Sequence, residues 1–257
     1  MKLPSLNNRN RFRIMVYGGL FLLIVYSVMI EPEWILIRKI ALSPNPQYIL
    51  VHISDIHYKG NDSCLNRVIS RINKMSPDFV CFTGDLVDEK RDLKDALNIL
   101  EKLRCPIFGV PGNHEYWSGV SFEDIEKTFK NTGGSWLVNR RIRFGNIEIT
   151  GMADEEYRRT ETDENNLPDR TLLLTHYPAM VNQISGSKYD LILAGHSHGG
   201  QIRLPVLGAV KLPYAVDRYD KGLFKTEAGI LYVNPGIGTY GIPVRFFCRP
   251  EITIIAF

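Results

Sequence analysis

Short apolar runs alternate regularly with amphipathic stretches, and this alternation is the feature that most limits how the chain can fold. Three strand-like runs flank two stretches with apolar residues at helical spacing: residues 48–54, 62–75, 78–84, 92–103 and 105–112. This β-α-β-α-β order requires neighbouring parallel strands with helices packed against the sheet. The first half of the chain is therefore predicted to form a layered α/β unit.

Strand-like runs also dominate the second half, where glycines and prolines separate them. The predicted strands are residues 135–139, 147–152, 171–175, 189–194, 230–234 and 251–256. Only residues 121–130 carry a clear helical pattern in this half. Since there is no internal repeat and no low-complexity tract, we predict one sheet-rich α/β domain over residues 48–257.

The N-terminal region has a different composition. Residues 1–13 form a basic flank that contains Lys2, Arg9, Arg11 and Arg13. Residues 14–30 are uncharged and mostly apolar, and a spanning helix needs about 17–25 such residues. No small-x-small cleavage site follows, and a buried core helix is disfavoured because the run is apolar on every side. We predict an uncleaved transmembrane anchor over residues 14–30 and a connector over residues 31–47.

Charge and cysteine content argue against two other classes of protein. The formal charge of +3 is too small to indicate nucleic-acid binding. The cysteines are widely scattered and none lies in a CxxC pair, so neither a zinc knuckle nor a disulfide framework is indicated. We therefore expect no nucleic-acid partner and no structural zinc.

Polar side chains follow the strand-like runs at the points where the runs end. Five of the six histidines lie just beyond such a run, and the sixth, His52, is interpreted as a structural residue. The strand-end set is Asp55, His57, Asp85, Asp88, Asn113, His114, His176, His196 and His198. Since α/β sheets present their chemistry at the carboxyl ends of their strands, we expect this set to converge.

The strand-end set has the chemistry of a two-metal centre. Carboxylates, imidazoles and an amide oxygen, without thiolates, suit Mn²⁺, Fe or Zn²⁺, and we expect Mn²⁺. Two cations about 3.5–4 Å apart need a bridging ligand, and the carboxylate of Asp85 can give one oxygen to each. The flanking glycines let the backbone approach the metals without a Cβ in the way.

Five short blocks resemble those of the calcineurin-like metallophosphoesterases. They are Asp55-x-His57, Gly84-Asp85, Gly112-Asn113-His114-Glu115, His176 and Gly195-His196-Ser197-His198. The resemblance covers roughly residues 48–257. It implies a four-layer αββα metallophosphoesterase sandwich, here preceded by a transmembrane helix.

The same resemblance implies a role for each strand-end residue. Seven would bind metal: Asp55, His57 and His198 the first ion, Asn113, His176 and His196 the second, and Asp85 both. His114 would be the acid that protonates the departing oxygen, and Asp88 could orient it. The implied reaction is metal-dependent hydrolysis of a phosphoric ester or phosphoanhydride by direct attack of water. No ligand position is substituted, which argues against a non-catalytic binding module on the same fold.

The resemblance extends to a bacterial membrane-associated branch of the family. It rests on the anchor and on the stretches IEPEW, ISDIH, GHSHGGQIRLP, VNPGIGT and PVRFFCRPEI. That branch includes YkuE-like phosphoesterases and the chlamydial-type UDP-2,3-diacylglucosamine pyrophosphatase of lipid A synthesis. It implies an amphiphilic, lipid-linked substrate. A membrane-tethered enzyme acting on soluble or cell-wall phosphates is the alternative. VNPGIGT departs from the branch's Asn-Arg-Gly form, so an arginine that could touch substrate is absent there.

The charges around the anchor and the implied substrate disagree about the side of the membrane on which the catalytic domain lies. Basic residues precede the anchor, while Glu31, Glu33, Arg38 and Lys39 follow it, so the positive-inside rule predicts an external domain. An enzyme of lipid A synthesis would instead meet its nucleotide-linked substrate on the cytoplasmic face. Either the apolar segment does not cross the inner (cell) membrane, or the substrate is a different one.

An unusually apolar segment follows His198. Residues 199–216 read GGQIRLPVLGAVKLPYAV. One interpretation is a buried hairpin, in which Ile202, Leu204, Val206 and Val210 join the core. The other is an exposed flap whose Leu204, Val206 and Leu207 meet the bilayer, with Arg203 and Lys211 near anionic head groups.

Overall fold

The computed structural model describes residues 7–153, 168–184 and 188–257. Its α-helices are α1 (Asn8–Val25), α2 (Asp62–Met75), α3 (Leu93–Leu100), α4 (Asn113–Trp117) and α5 (Phe122–Asn131). A π-helical turn, Tyr26–Ile30, continues α1, and 3₁₀ turns occur at Glu31–Glu33, Lys90–Asp92, Pro178–Asn182 and His198–Gly200. The amphipathic pattern predicted α2 correctly at both ends.

Two six-stranded sheets form the centre of the protein. The first has the order β1 (Leu36–Ala41), β14 (Glu251–Ala256), β2 (Ile49–Ile53), β3 (Phe79–Phe82), β4 (Ile107–Gly109) and β5 (Ser135–Trp136). The second has the order β12 (Gly222–Thr226), β13 (Gly229–Val233), β9 (Tyr189–Ala194), β8 (Arg170–Thr175), β7 (Ile147–Met152) and β6 (Arg140–Phe144). A small hairpin pairs β10 (Arg203–Leu204) with β11 (Gly208–Ala209). As predicted, the three strands of the first half, β2, β3 and β4, pair in parallel. β5 continues this parallel arrangement, and β7, β8, β9 and β13 of the second sheet also pair in parallel.

Successive side chains of β3 point alternately into two different apolar clusters, one on each face of the first sheet. Phe79 and Cys81 belong to the apolar cluster between the two sheets, whereas Val80 and Phe82 pack with residues of α2, α3 and α5. All four side chains are fully buried. A strand covered on both faces is expected to read as a continuous apolar run, as this one does.

The outer face of the second sheet carries a third apolar cluster. Leu173, Ile192 and Leu231 pack there against Met180 of the Pro178–Asn182 turn and against Tyr219. The predicted metallophosphoesterase sandwich, with its two central sheets and a helical layer, is confirmed. Within the described ranges the layer on this outer face is built from 3₁₀ turns and irregular segments rather than α-helices.

The predicted connector, residues 31–47, needs a correction. It contains β1, which pairs in parallel with β14 at the edge of the first sheet. Glu31 is fully buried and accepts hydrogen bonds from the backbone N–H groups of Phe247 (2.9 Å) and Cys248 (2.5 Å). The physical reason is non-local: the pairing with a strand more than two hundred residues later in the chain is invisible to local periodicity.

Residues 8–33 form one continuous helical segment. Its most apolar 18-residue stretch has a mean hydropathy of 2.0, and 6% of that stretch is buried within the protein, so the segment is long and apolar enough to cross a membrane. The predicted anchor lies within this segment. Residues 1–6 of the predicted basic flank lie outside the described residues.

The segment after His198 is exposed rather than buried. The hairpin of β10 and β11 presents Leu204 (43% exposed), Val206 (105%) and Leu207 (79%) to solvent, and Val210 is 60% exposed. The interpretation in which these side chains join the core is therefore wrong. Arg203 is held on the protein by an ion pair with Asp220 at 2.7 Å.

Candidate metal centre

The two sheets bring all nine strand-end residues together. The first sheet contributes those that follow β2, β3 and β4, and the second contributes those that follow β8 and β9. Each is buried except Asp88, whose side chain is 20% exposed. His52, by contrast, lies fully buried within β2 and hydrogen-bonds Thr83 through Nε2 at 2.9 Å.

One group of donors consists of Asp55, His57 and His198. Their ligand atoms lie within 4.8 Å of one another. Nε2 of His57 is 3.1 Å from Nε2 of His198, which in turn is 3.4 Å from Oδ1 of Asp55. Asp55 is also fixed by its carboxylate, which accepts from the backbone N–H of His196 at 3.0 Å.

A second group consists of Asp85, His176 and His196, whose ligand atoms also lie within 4.8 Å of one another. Nε2 of His176 is 3.0 Å from Nδ1 of His196 and 3.1 Å from Oδ1 of Asn113. The amide of Asn113 thus joins the group through its oxygen. The two groups match the division of ligands that the family resemblance implies.

Asp85 lies between the two groups. Its Oδ2 is 3.6 Å from Nε2 of His57 and 3.4 Å from Nε2 of His176. Its Oδ1 accepts from the backbone N–H of His114 at 2.9 Å. One carboxylate oxygen therefore faces donors of both groups, while the other orients the side chain.

The outer hydrogen bonds of three histidines decide which ring nitrogen carries the proton. A carbonyl or carboxylate oxygen can only accept, so the nitrogen bonded to it is the protonated one. The pairs are His57 Nδ1 with Asp88 Oδ1 (2.5 Å), His176 Nδ1 with Thr83 O (2.6 Å) and His196 Nε2 with Tyr214 O (3.0 Å). The remaining nitrogens direct lone pairs towards the centre, which is the arrangement that metal-binding imidazoles require. The donor set therefore fits two metal ions.

The backbone at these ligands is held in an unfavourable conformation. Five of the non-glycine residues with positive φ are predicted ligands: Asp55 (49°), His57 (44°), Asp85 (59°), His196 (63°) and His198 (49°). L-residues rarely adopt this region, and each instance costs of order 1–3 kcal/mol. The clustering of such residues at one site is typical of functional sites, where the surrounding structure holds the strained residues in place.

Two glycines permit the close approach that the centre needs. A Cβ on Gly84 would collide with the backbone of Gly112, and Gly84 itself has φ of +93°. A Cβ on Gly195 would collide with the side chains of Ser54 and Asp55. Larger residues at either position would push apart the strand ends that carry the ligands.

Burial and charge give the donors opposite pKa shifts. Burial lowers the pKa of His196 to about 3 and that of His198 well below its usual value, so both imidazoles are neutral. Burial would likewise lower the pKa of His176, but the charge of Asp85 raises it to about 9. The pKa of Asp85 is lowered, because the charge and hydrogen bond of His176 outweigh burial. The negative charge that favours a proton on His176 favours any cation at the same position.

His114 and Asp88 form a separate pair at the edge of the centre. Nδ1 of His114 is 3.0 Å from Oδ1 of Asp88, the same oxygen that bonds His57. Lys59 contacts the other carboxylate oxygen at 2.8 Å. Burial opposes protonation of His114, but the bond to Asp88 and the charge of Asp85 raise its pKa. The structure thus brings Asp88 to His114, as expected, and also to a predicted metal ligand.

Glu115 has a function that the sequence pattern did not predict. It is 1% exposed and accepts from the backbone N–H groups of Asp85 (2.8 Å), Leu86 (2.7 Å) and Gly112 (2.7 Å). Burial, followed by the charge of Asp85, raises its pKa to about 7. Glu115 ties the loop after β3 to the loop after β4. The available signal was a glutamate in the first turn of a helix that begins immediately after a glycine.

A cavity of about 700 Å³ opens above the donors. Its polar part includes Asp85, Asn113, His114, His196 and His198. Much of the remaining wall comes from the segment after β11 and from the loop around residue 241, and is mostly apolar or aromatic: Val210, Leu212, Pro213, Tyr214, Tyr240 and Ile242. Lys211 is the one lysine or arginine among the described residues that line it. The cavity is polar where the ligands lie and mostly apolar along the wall formed by these two segments.

Comparison with known proteins identifies relatives of this chain. Residues 49–200 match the family model described as calcineurin-like phosphoesterase. An uncharacterized metallophosphoesterase of Campylobacter jejuni is 34% identical over 223 residues, covering 80% of this chain and 58% of the relative. The uncharacterized metallophosphoesterase YkuE of Bacillus subtilis is 30% identical over 227 residues, covering 81% of this chain and 76% of the relative. Phosphodiesterase YaeI of Escherichia coli is 29% identical over 249 residues, covering 90% of this chain and 91% of the relative. The chain thus spans less than two thirds of the Campylobacter relative's length.

Proposed function

The chain belongs to the calcineurin-like phosphoesterase family, and from this membership we propose that it is a membrane-anchored, two-metal hydrolase of phosphodiester or pyrophosphate bonds. One observation carries the proposal: a ring nitrogen from each donor group lies close to the same oxygen of Asp85, with Nε2 of His57 at 3.6 Å and Nε2 of His176 at 3.4 Å from Oδ2. When bound, the two cations would activate a water molecule and neutralise charge that develops on the phosphoryl oxygens.

The chain's own residues hold the reacting groups in place. Thr83, Tyr214 and Asp88 fix the tautomers of the ligand histidines through their acceptor oxygens. Such outer partners typically contribute about 10–100-fold to metal affinity or activity. The donors are nitrogen and oxygen without sulfur, which favours Mn²⁺ as the resident ion, with Fe or Zn²⁺ as alternatives.

His114 is proposed as the general acid. It lines the cavity, and its Nδ1 is bonded to Asp88, so its other ring nitrogen can deliver a proton to a leaving oxygen. Although burial opposes it, the bond to Asp88 and the charge of Asp85 raise the pKa of the imidazole, which favours the protonated form that a general acid needs. General acid catalysis of this kind contributes about 10²–10⁴ in rate.

We further propose an amphiphilic, lipid-linked nucleotide such as UDP-2,3-diacylglucosamine as the substrate. The polar floor of the cavity suits a pyrophosphate, and the apolar wall that includes Leu212 and Ile242 suits the lipid part. The anchor confines the domain to the surface where such a substrate resides, and so raises its effective concentration. This would place the enzyme at the inner (cell) membrane and in lipid A synthesis.

The test compares two substrates that share a pyrophosphate. Full-length protein in lipid vesicles, supplied in turn with Mn²⁺, Fe²⁺ and Zn²⁺, is assayed on UDP-2,3-diacylglucosamine and on UDP-N-acetylglucosamine. We expect metal-dependent hydrolysis, fastest with Mn²⁺, and a clear preference for the diacylated compound. Asp85→Asn is the matched control and should hydrolyse neither.

Two other outcomes identify the competing functions. If bis(p-nitrophenyl) phosphate is hydrolysed but the diacylated compound has no advantage, the protein is a membrane-tethered phosphodiesterase of soluble or cell-wall phosphates. If metals bind and no phosphoester is hydrolysed, the fold serves as a binding module.

A further inference from the structure

Exposed apolar side chains lie on segments that adjoin the wall of the cavity. We use the term apolar rim for Leu204, Val206, Leu207, Ile242 and Phe247. Their exposed fractions are 43%, 105%, 79%, 59% and 55%. Ile242 lines the cavity itself, and the hairpin that carries the first three is flanked by the cavity-lining residues Ile202 and Val210. The apolar rim is therefore adjacent to the cavity that contains the donors.

Two members of the apolar rim are in strained backbone conformations. Val206 has φ of +71° and Phe247 has φ of +52°. Left-handed backbone is especially unfavourable for a β-branched residue, and glycine would serve the turn better. Both the strain and the exposure of an apolar side chain are unfavourable in a domain surrounded only by water. Backbone strain of this kind is typical of functional segments such as ligand clamps and switch regions.

The apolar rim is continuous with the base of the anchor. The backbone carbonyl of Ser27 accepts from the N–H of Arg245 at 2.9 Å, and the Tyr26 ring packs edge-on against Phe246 at 6.5 Å. Phe246 in turn pairs with the hairpin, since its carbonyl accepts from the N–H of Arg203 at 2.8 Å. The anchor, residues 245–247 and the hairpin thus form one connected surface.

An aromatic and basic pair lies where the anchor ends. Trp34 is 53% exposed, and the guanidinium of Arg249 lies over its ring at 4.0 Å. Tryptophan and arginine are typical of the head-group level at the end of a spanning helix. Because β1 begins two residues after Trp34, only a short link joins the end of the anchor to the first sheet.

We propose that the apolar rim is a bilayer-docking surface, which inserts into the membrane beside the anchor and turns the cavity mouth towards the lipid. The inference deepens the proposed function and rests on it only for the nature of the substrate. A lipid-linked phosphoester would then pass from the bilayer across the rim to the donors without its acyl chains entering water. The burial of the exposed side chains stabilises docking by about 25 cal/mol per Å² of apolar surface.

The test detects lipid contact directly and needs no turnover. A photoreactive benzophenone amino acid replaces Leu207 or Ile242 in the full-length protein, which is reconstituted in vesicles of phosphatidylethanolamine and phosphatidylglycerol. Phe21 on α1 is the positive control, and Lys130 on α5, beside the far edge of the first sheet, is the negative control. After irradiation we expect lipid adducts at 207 and 242 approaching the yield at 21, with only background at 130.

Two other results would contradict the proposed docking surface. If position 21 captures lipid and positions 207 and 242 do not, the rim faces water. If 207 captures a second protein chain instead of lipid in dilute vesicles, a copy of this chain covers the rim. Because adduct formation is independent of catalysis, an inactive protein with adducts at 207 refutes the proposed function and leaves the docking surface intact.

Discussion

The donor centre and the apolar rim border the same cavity but are built in opposite ways. Around the donors nearly every polar atom has a partner, and Asp55, which accepts from a backbone N–H at 3.0 Å, is fully buried. In the apolar rim Val206 and Leu207 are almost wholly exposed. The fold itself holds the donors in place, whereas the apolar side chains of the rim stay exposed and can be covered only by something outside the domain.

The difference follows from what each region must do. Metal chemistry depends on donor positions within fractions of an ångström, and therefore needs second partners for each ligand. Insertion into a fluid bilayer depends mainly on the apolar area presented and tolerates variation in position. Substitutions in the two regions should consequently differ in size and in which substrate they affect.

Asp85→Asn should have the largest effect. The amide removes one negative charge between the two donor groups, so both ions should be lost together and turnover of any phosphodiester should fall by several orders of magnitude. Elemental analysis of the purified protein and rates with bis(p-nitrophenyl) phosphate measure this. Full occupancy with near-normal turnover would show that Asp85 does not bridge.

His114→Ala should have a smaller and selective effect. Metal content should stay close to that of the unaltered protein, while hydrolysis of alkyl phosphodiesters slows by about 10²–10⁴-fold. Release of p-nitrophenolate, which needs little protonation, should slow far less. Equal losses on both kinds of substrate would contradict the role of general acid.

Asp88→Asn should have a moderate effect, because Asp88 bonds both His57 and His114. We expect metal affinity and turnover each to fall by about 10–100-fold, measured by metal titration and by rates with saturating metal. Glu89→Gln, at an exposed neighbouring carboxylate, is the matched control and should change neither. If metal affinity is unchanged in Asp88→Asn, the bond to His57 has no role in ligand orientation.

Val206→Gly should have the smallest effect on chemistry. Relief of the left-handed valine should raise the free energy of unfolding in detergent by about 1 kcal/mol, and rates with bis(p-nitrophenyl) phosphate should not change. Hydrolysis of a diacylated substrate in vesicles should fall, because less apolar surface reaches the bilayer. A loss of activity on both substrates would assign the hairpin to the donor site rather than to the membrane.

Local sequence patterns were sufficient for the parts of the fold with local causes. Helical spacing predicted α2, and uninterrupted apolar runs predicted the strands that lie buried between layers. The strand-end residues could be chosen because parallel strands of a layered fold end at a common edge. Those patterns also indicated the anchor, because an uncharged apolar run of that length depends on no distant residue.

Tertiary structure decided everything that depends on distant partners. The tautomer of His176 is set by a carbonyl 93 positions away, and that of His196 by one 18 positions away. β1 exists because β14 lies beside it, and Asp88 serves two histidines because two loops meet there. The exposure of residues 204–207 also could not be read from their composition, since an apolar segment can equally join a core or face a membrane. Local periodicity indicates which side chains are buried. Which residues they contact depends on segments that are distant in the sequence and meet only in the folded structure.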